Sequence, residues 1–198
     1  MKKINTIYQK LLNQNEKIVY KAEIIGTIKE FNKKFNSSLD IGNTIKYLTR
    51  HDYIRRVFLG YYYINSFDER KGSSCDYEDK EILFLTLNKL NLRWYVGLSY
   101  ALYILGENWQ LPNTLSILNN KFSGQRSILG MRVRFYKIRE KLIFGLIRTK
   151  TTNNVLYKYS SHAKTYLDIV YLRINNKLVR TRETSKYLRR YPPWVGRI

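Results

Sequence analysis

The sequence predicts an α+β fold in two domains. Residues 1–65 show helical and strand-like patterns that end in a basic hairpin, and residues 79–172 form a mixed α/β unit of helices and several strands. Between them, residues 66–78 are acidic, rich in Gly and Ser, and largely without apolar periodicity, which predicts a linker. Residues 173–198 are basic and aromatic and are interpreted as a tail.

Positive charge is the most pronounced global property of the chain. Its 198 residues include 36 Lys and Arg against 15 Asp and Glu, a formal net charge of +21. Residues 1–65 carry a net +7, residues 66–90 a net −2 and residues 91–198 a net +16. A field of this size favours a polyanionic partner, and nucleic acid is the main prediction. An acidic protein partner is one alternative, and compositional drift from AT-rich coding is another.

Composition also excludes several classes of protein. A hydrophobic content of 44% argues against global disorder. No apolar run reaches the roughly 18 residues needed to cross a bilayer, and the first ten residues lack the apolar core of a signal peptide. Cys75 is the single cysteine, so neither an internal disulfide nor a thiolate metal cluster is expected. A soluble, cytoplasmic protein without membrane contact follows as the expectation.

The first domain is predicted to contain three helices and three strands. Apolar residues recur at helical spacing over residues 3–13, and residues 18–20 are β-branched and aromatic. A second helix follows, with Ile24, Ile28 and Phe31 on one face. Asp40 is placed to cap a third helix.

The third helix has one apolar side and one polar side. Ile41, Ile45 and Leu48 form the predicted buried side. Amide and cationic side chains on the other side suit base edges and phosphates, although any solvated helix can carry such a face. The residues predicted there to bind DNA are Asn43, Thr44, Lys46, Tyr47 and Arg50.

A basic hairpin follows this helix. Tyr53–Val57 and Tyr61–Ile64 are strand-like, and Gly60 permits the turn between them. Arg55 and Arg56 point to opposite faces of the first strand, so at least one is expected to reach solvent and a phosphate. The three tyrosines at 61–63 are expected to pack rather than to stack on bases.

Helix, turn, helix and basic hairpin in this order predict a winged helix-turn-helix that binds double-stranded DNA. Such a unit places one helix in the major groove and the hairpin beside the backbone. A symmetric operator would favour a homodimer on DNA.

In the second domain, some segments have apolar residues at helical spacing and others at the spacing of strands. Helices are predicted from Asp79, from about Tyr95 to Leu105, and over Ser161–Leu172 with Ala163, Tyr166, Leu167 and Val170 in register. Strands are predicted in LSILNN, RVRFYKI, KLIFGLI and NVLYKYS.

A secondary basic surface is predicted on this domain and on the tail. Arginines alternate with Val133 and Phe135 on one strand, which gives a basic and an apolar face. The alternatives are an edge strand protected by charge and a tail that adds non-specific affinity only. The surface comprises Arg132, Arg134, Lys137, Arg139, Arg180, Arg182, Arg189 and Arg190.

No catalytic or metal-binding motif is present in the sequence. It has no phosphate-binding Gly-rich loop and no HExxH, and its two histidines, His51 and His162, form no recognisable dyad. The acidic residues concentrate around the linker, where a solvated segment is the expected reading. The chain is predicted not to be an enzyme and to need no cofactor; a nuclease delivered by the helix-turn-helix and a non-specific, charge-driven binder are the alternatives.

The chain resembles the AbiEi-type antitoxins of abortive-infection systems. The resemblance covers about residues 1–172 and rests on RRVFLGYYYIN, YVGLSYALYILGE, LPNT, an Arg-rich strand and KLIFG. It implies a transcriptional autorepressor that binds inverted repeats upstream of its own operon and counters a nucleotidyltransferase-like toxin. It assigns repression to Leu39–Asp52 with Tyr53–Ile64, and antitoxicity to about Asp79–Leu172. The basic aromatic tail departs from the family pattern.

Overall fold

The computed structural model describes residues 2–14, 16–72 and 75–176, and the chain divides into two compact units. The first unit contains the chain up to Leu92 together with residues 125–133 and 149–157. The second contains residues 93–124, residues 134–148 and the chain from Lys158 onward. The predicted linker, residues 66–78, thus lies within the first unit, and the division falls after Leu92.

The fold is mixed α+β, as predicted. The described residues form seven α-helices and nine strands in two sheets. The elements up to Leu92 are α1 Lys2–Leu12, β1 Ile18–Tyr20, α2 Lys21–Lys34, α3 Ile41–Arg50, β2 Ile54–Arg56, β3 Tyr61–Ile64, α4 Phe67–Arg70 and α5 Asp79–Lys89. Those that follow are β4 Trp94–Val96, α6 Leu98–Ile104, β5 Thr114–Asn119, β6 Gly124–Ile128, β7 Met131–Lys137, β8 Leu146–Lys150, β9 Leu156–Ser160 and α7 His162–Asn176.

The first sheet has the strand order β1-β3-β2, and both pairs are antiparallel. Of the three tyrosines expected to pack, Tyr62 and Tyr63 are buried and Tyr61 is half-buried. Helices α1, α2 and α3 close over a core that contains Ile7, Leu11, Ile24, Ile28, Leu48 and Ile54, all fully buried. The helical periodicity of residues 3–50 predicts the buried faces of these helices, although Ile4, Leu12 and Ile41 are only partly buried.

The second sheet has the strand order β6-β7-β5-β4-β9-β8. Strand β4 runs antiparallel to β5 and parallel to β9. The helix predicted over 95–105 is wrong at its beginning, because Tyr95 lies in β4 and the helix starts at Leu98. Gly97 separates the two elements, and a Cβ there would come within 2.4 Å of the Leu118 side chain.

The segment KLIFGLI is not one strand. A 3-10 turn occupies Glu140–Leu142, and β8 begins only at Leu146. Gly145 has φ +62°, a left-handed conformation that ends the regular backbone before β8. The sequence predicts a strand here, but periodicity cannot establish the secondary structure of such a short apolar run.

Helix α7 buries a different face from the one predicted. Tyr166 is buried, but Ala163, Leu167 and Val170 are exposed. Polar side chains are buried in their place, among them Lys164 and Asp168, which form an ion pair. The prediction was wrong because it grouped Ala163, Leu167 and Val170 with Tyr166 and left out Ile169 and Leu172, which are buried in the core.

Glu81 is a buried carboxylate in the first unit. Its side chain accepts hydrogen bonds from Asn153 Nδ2 and from the Glu78 backbone N–H, both at 2.8 Å. Burial opposes its ionisation, but these bonds and those from Thr151 and the Asn153 backbone outweigh burial, so the pKa of Glu81 lies below its ordinary value. Glu81 is therefore not a solvated acid, contrary to the sequence prediction.

Replacing Glu81 by Gln should lower the free energy of unfolding by about 2 kcal/mol, because hydrogen bonds to a charged acceptor are lost. Because the pKa of Glu81 is depressed, the contribution of its carboxylate to the free energy of unfolding depends on pH. It is fully present above the unfolded-state pKa of about 4.3 and is lost as pH falls through the folded-state pKa. Urea unfolding at neutral and acidic pH measures both. Glu30→Gln, which alters an exposed ion pair with Lys10, is the control and should leave the unfolding midpoint unchanged.

Candidate nucleic-acid interface

The connection between α2 and α3 is held by reciprocal hydrogen bonds. The Asn32 side chain donates to the Leu39 carbonyl at 2.9 Å and accepts from the Leu39 N–H at 3.2 Å. Asp40 then caps α3, as predicted, and its carboxylate accepts from the Asn43 N–H at 2.7 Å. These contacts fix the direction in which α3 leaves the turn.

Helix α3 presents a polar stripe to solvent. Ile45 and Leu48 anchor the inner side in the core. Asn43, Lys46 and Arg50 are exposed at positions i, i+3 and i+7, which places them on one side of the helix. Within the described ranges, neither Lys46 nor Arg50 makes an ion pair. We call Asn43, Lys46 and Arg50 the α3 stripe; its donors are available to an external acceptor.

Two residues predicted on that side are placed elsewhere. Thr44 is only 4% exposed, and its hydroxyl donates to the Asp40 carbonyl at 2.6 Å. This bond satisfies the hydroxyl, and Thr44 is therefore buried and not on the exposed side of α3 where it was predicted. Tyr47 is half-buried, and its ring lies 4.1 Å from that of His51 and 6.4 Å from that of Tyr53.

The two arginines of β2 differ in environment. Arg56 is exposed, which agrees with the prediction that at least one would reach solvent. Lys21 lies beside the same hairpin, since its N–H donates to the Gly60 carbonyl at 2.9 Å and its side chain is exposed. Sequence reasoning assigned no role to Lys21, although its position directly after β1 could have indicated one, because β1 pairs with the hairpin.

Arg55 is instead engaged by residues that follow the hairpin. Its Nη1 lies 3.3 Å from Asp79 Oδ1, and its Nη2 lies 3.8 Å from Glu69 Oε1. Its Nε donates to Asn65 Oδ1 at 2.9 Å, and its guanidinium lies 5.0 Å from the ring centre of Tyr63. Two carboxylates therefore offset its charge, and it is less available to a phosphate than Arg56.

The acidic segment after the hairpin is bound to the first unit at several points. Glu69 accepts hydrogen bonds from the Tyr63 hydroxyl at 2.8 Å and from the Ser66 N–H at 2.7 Å. Burial, together with this bond to Glu69, raises the pKa of Tyr63. Lys17 forms an ion pair with Asp76 at 2.5 Å. Glu69 and Asp76 are thus bound by residues of the first unit rather than solvated as predicted, whereas Asp68 and Glu78 are exposed.

A cleft of about 420 Å³ lies beside this segment. Arg70 stacks on Tyr53, with its guanidinium carbon 3.4 Å from the ring centre. Both cationic and anionic side chains line the cleft, so its charge does not select either an anionic or a cationic ligand. Its lining includes Asp52, Arg55, Glu69, Arg70, Lys71 and Cys75.

The secondary basic surface is described in part. On β7, Val133 and Phe135 are buried while Arg132 is exposed, which agrees with the predicted alternation over these residues; Lys137, on the same side as Val133 and Phe135, is exposed at the end of the strand. Arg134 is half-buried, and its guanidinium lies 5.5 Å from the ring centre of Tyr136. Arg139, beyond the strand, is exposed. Arg180, Arg182, Arg189 and Arg190 lie outside the described residues.

The histidines and carboxylates form no metal-binding group in the part of the chain that the structure describes. His51 is the exposed C-cap of α3. His162 begins α7, and its Nδ1 lies 3.2 Å from Glu107 Oε1. Among the helices described, none has the length and apolar content that a membrane crossing requires.

No protein-family model matches the chain, and no curated protein is significantly similar to it.

Proposed function

We propose that the chain is a sequence-specific double-stranded DNA-binding transcriptional regulator whose first 65 residues form a winged helix-turn-helix. The observation that carries the proposal is the α3 stripe, an amide and two cations on the outer side of a helix whose inner side belongs to the core. The element order α1-β1-α2-α3-β2-β3 and the exposed Arg56 and Lys21 beside the hairpin support the same reading.

In this proposal α3 enters the major groove. Asn43 reads adenine through paired hydrogen bonds, and Lys46 and Arg50 contact guanine or phosphate. Arg56 and Lys21 contact the backbone beside the groove. The net charge of +21 contributes the salt-dependent part of the affinity.

The resemblance to AbiEi-type antitoxins extends the proposal. It makes the operator a set of inverted repeats upstream of the protein's own operon, occupied by a pair of subunits. It also makes the second domain an antitoxin against a nucleotidyltransferase-like toxin, whether or not the two proteins touch. This extension rests on the sequence motifs, whereas DNA binding rests on the α3 stripe.

Fluorescence anisotropy with the full chain tests the function. At physiological salt, the duplex from the protein's own upstream region should bind at least about 1000-fold more tightly than a scrambled duplex of equal length. Equal affinity for the two duplexes would reject sequence-specific regulation and favour the non-specific, charge-driven alternative.

Asn43→Ala should weaken binding to the preferred duplex by about 1–3 kcal/mol and relax the base preference at one position of each half-site. The reason is that an amide contact to a base edge carries sequence information, whereas a phosphate contact does not. Selection of bound sequences from a random pool measures the preference. Asn113→Ala, an exposed asparagine of the second unit, is the control and should change neither quantity.

Asp79→Asn should raise the affinity for any duplex a few-fold and steepen the logarithmic salt dependence by up to about 0.9, since Arg55 loses the nearer of its two carboxylate partners and becomes more available to one further phosphate. Titrations at several salt concentrations measure the slope. Glu78→Gln removes an adjacent carboxylate that pairs with Lys80 instead of Arg55. If Glu78→Gln produced the same gain, overall charge rather than the release of Arg55 would be the cause.

A further inference from the structure

The outer side of α7 carries an apolar stripe that faces solvent. Ala163, Leu167 and Val170 occupy positions i, i+4 and i+7, and Leu167 and Val170 are 50% and 39% exposed. We call these three residues the α7 stripe. A helix on the surface of a globular domain normally carries polar and charged residues on this side.

The α7 stripe is not needed for the core of the second unit. Tyr166, Ile169 and Leu172 pack into that core from the opposite side of the helix. Lys164 and Asp168 also point inward, so this helix places charged groups inside and apolar groups outside. Exposed apolar surface that the core does not use marks an interaction site.

Phe144 adds apolar surface next to the first turn of α7. It is 51% exposed, and its ring centre lies 4.9 Å from the buried Lys164 ammonium. Gly145 keeps the backbone close to the helix, because a Cβ at this position would lie 3.2 Å from Lys164 Cβ. Phe144 is thus a further exposed apolar side chain of the same unit, in contact with α7 at Lys164.

The second unit, which carries the α7 stripe, is positively charged. The part of the second unit that the structure describes contains ten basic and three acidic residues. Each of the three acids is paired within the unit, Glu107 with His162, Glu140 with Arg93 and Asp168 with Lys164. The exposed cations of the same unit are Arg93, Lys121, Lys137, Arg139, Lys141, Arg148 and Lys158.

We propose that the α7 stripe is the docking surface for an acidic protein, which covers Leu167 and Val170 with an apolar groove and whose carboxylates complement the positive charge of the second unit. Charge complementarity decides the class of partner. A second copy of this chain would bring like charge to the interface. Nucleic acid would use the cations but would leave the aliphatic side chains without a partner. This interaction is separate from the proposed binding of DNA by α3.

The test begins with a photo-crosslinking residue, p-benzoylphenylalanine, placed at Leu167 of the full-length chain in cells. The same residue at the exposed Asn113 of this unit is the control position. A protein captured at 167 and not at 113 is then purified, and its Kd for the full-length chain is measured by calorimetry. The expected partner has an acidic surface and binds in the absence of nucleic acid.

Two substitutions of the same side chain separate the apolar contact from charge. Leu167→Glu and Leu167→Lys both remove the leucine, but only Glu repels an acidic partner. Leu167→Glu should raise the Kd at least tenfold more than Leu167→Lys, with unchanged circular dichroism and melting temperature. Any of four results overturns the proposal: crosslinking to a second copy, crosslinking to nucleic acid, no crosslink, or equal effects of the two substitutions.

Discussion

The double variant Lys46→Glu/Arg50→Glu is expected to lose at least about 1000-fold in affinity for the preferred duplex. Each side chain contributes about 1–3 kcal/mol as a base or phosphate contact, and each new carboxylate repels the DNA backbone. A loss of about 4 kcal/mol corresponds to this factor. Anisotropy titrations at one fixed salt concentration measure it.

A variant with the same change in net charge is the control for this double variant. Lys121→Glu/Lys158→Glu alters two exposed lysines of the second unit and should weaken binding less than tenfold, since neither lysine belongs to the α3 stripe and only the overall charge changes. Both variants should retain the melting temperature of the wild type because all four side chains are exposed. Equal losses would show that DNA contacts the cationic surface as a whole, and α3 would lose its assigned role.

The sequence was sufficient to locate α3 and its cap. Ile45 and Leu48 recur at helical spacing, and Asp40 stands where an N-cap residue is required, so both local signals agree. Three of the five residues predicted on the outer side are exposed there. Thr44 was misplaced because a helical projection does not show that its hydroxyl can bond to the carbonyl four residues earlier and be buried.

The environment of Arg55 could not be predicted from local sequence. Its partners Glu69 and Asp79 lie 14 and 24 residues later, in a segment whose composition is typical of a solvated linker. Only the three-dimensional placement of that segment reveals that the acids pair with the hairpin. The distribution of charge along the chain therefore locates the acidic residues, but it does not predict that Glu69 and Asp79 pair with Arg55 instead of facing solvent.

Helix α7 illustrates a different limit. Its apolar residues outnumber the positions of one helical face, so periodicity alone cannot decide which of them are buried. Lys164 and Asp168 are four residues apart, a spacing that usually indicates an exposed ion pair on a helix. The structure buries this pair and exposes Leu167, because the inner side of α7 provides a partner for the Tyr95 hydroxyl.

The buried pair itself should be highly sensitive to the loss of one member. The Lys164 and Asp168 side chains are each 3% exposed, and Asp168 also accepts a hydrogen bond from the Tyr95 hydroxyl at 2.7 Å. Burial raises the pKa of Asp168, although Lys164 and Tyr95 act in the opposite direction. Relative to the unfolded chain, folding therefore shifts this carboxyl toward protonation, and the resulting contribution to stability is lost as pH rises from the unfolded-state pKa of about 3.9 through the folded-state value. When it is ionised, the carboxylate is the counter-charge of Lys164.

Asp168→Ala should consequently lower the free energy of unfolding by about 3–5 kcal/mol, because it leaves the Lys164 ammonium buried without a counter-charge. The double variant Lys164→Met/Asp168→Leu removes both charges, and it should recover most of that loss, since a buried pair replaced by apolar groups of similar volume is often neutral or stabilising. Urea unfolding of the full chain at pH 7 gives both values. If the double variant were as unstable as Asp168→Ala, the ion pair would itself stabilise the fold. The attraction between the two charges would then exceed the cost of removing them from water. If Asp168→Ala unfolded at the wild-type urea concentration, water would have to reach Lys164 in the folded protein.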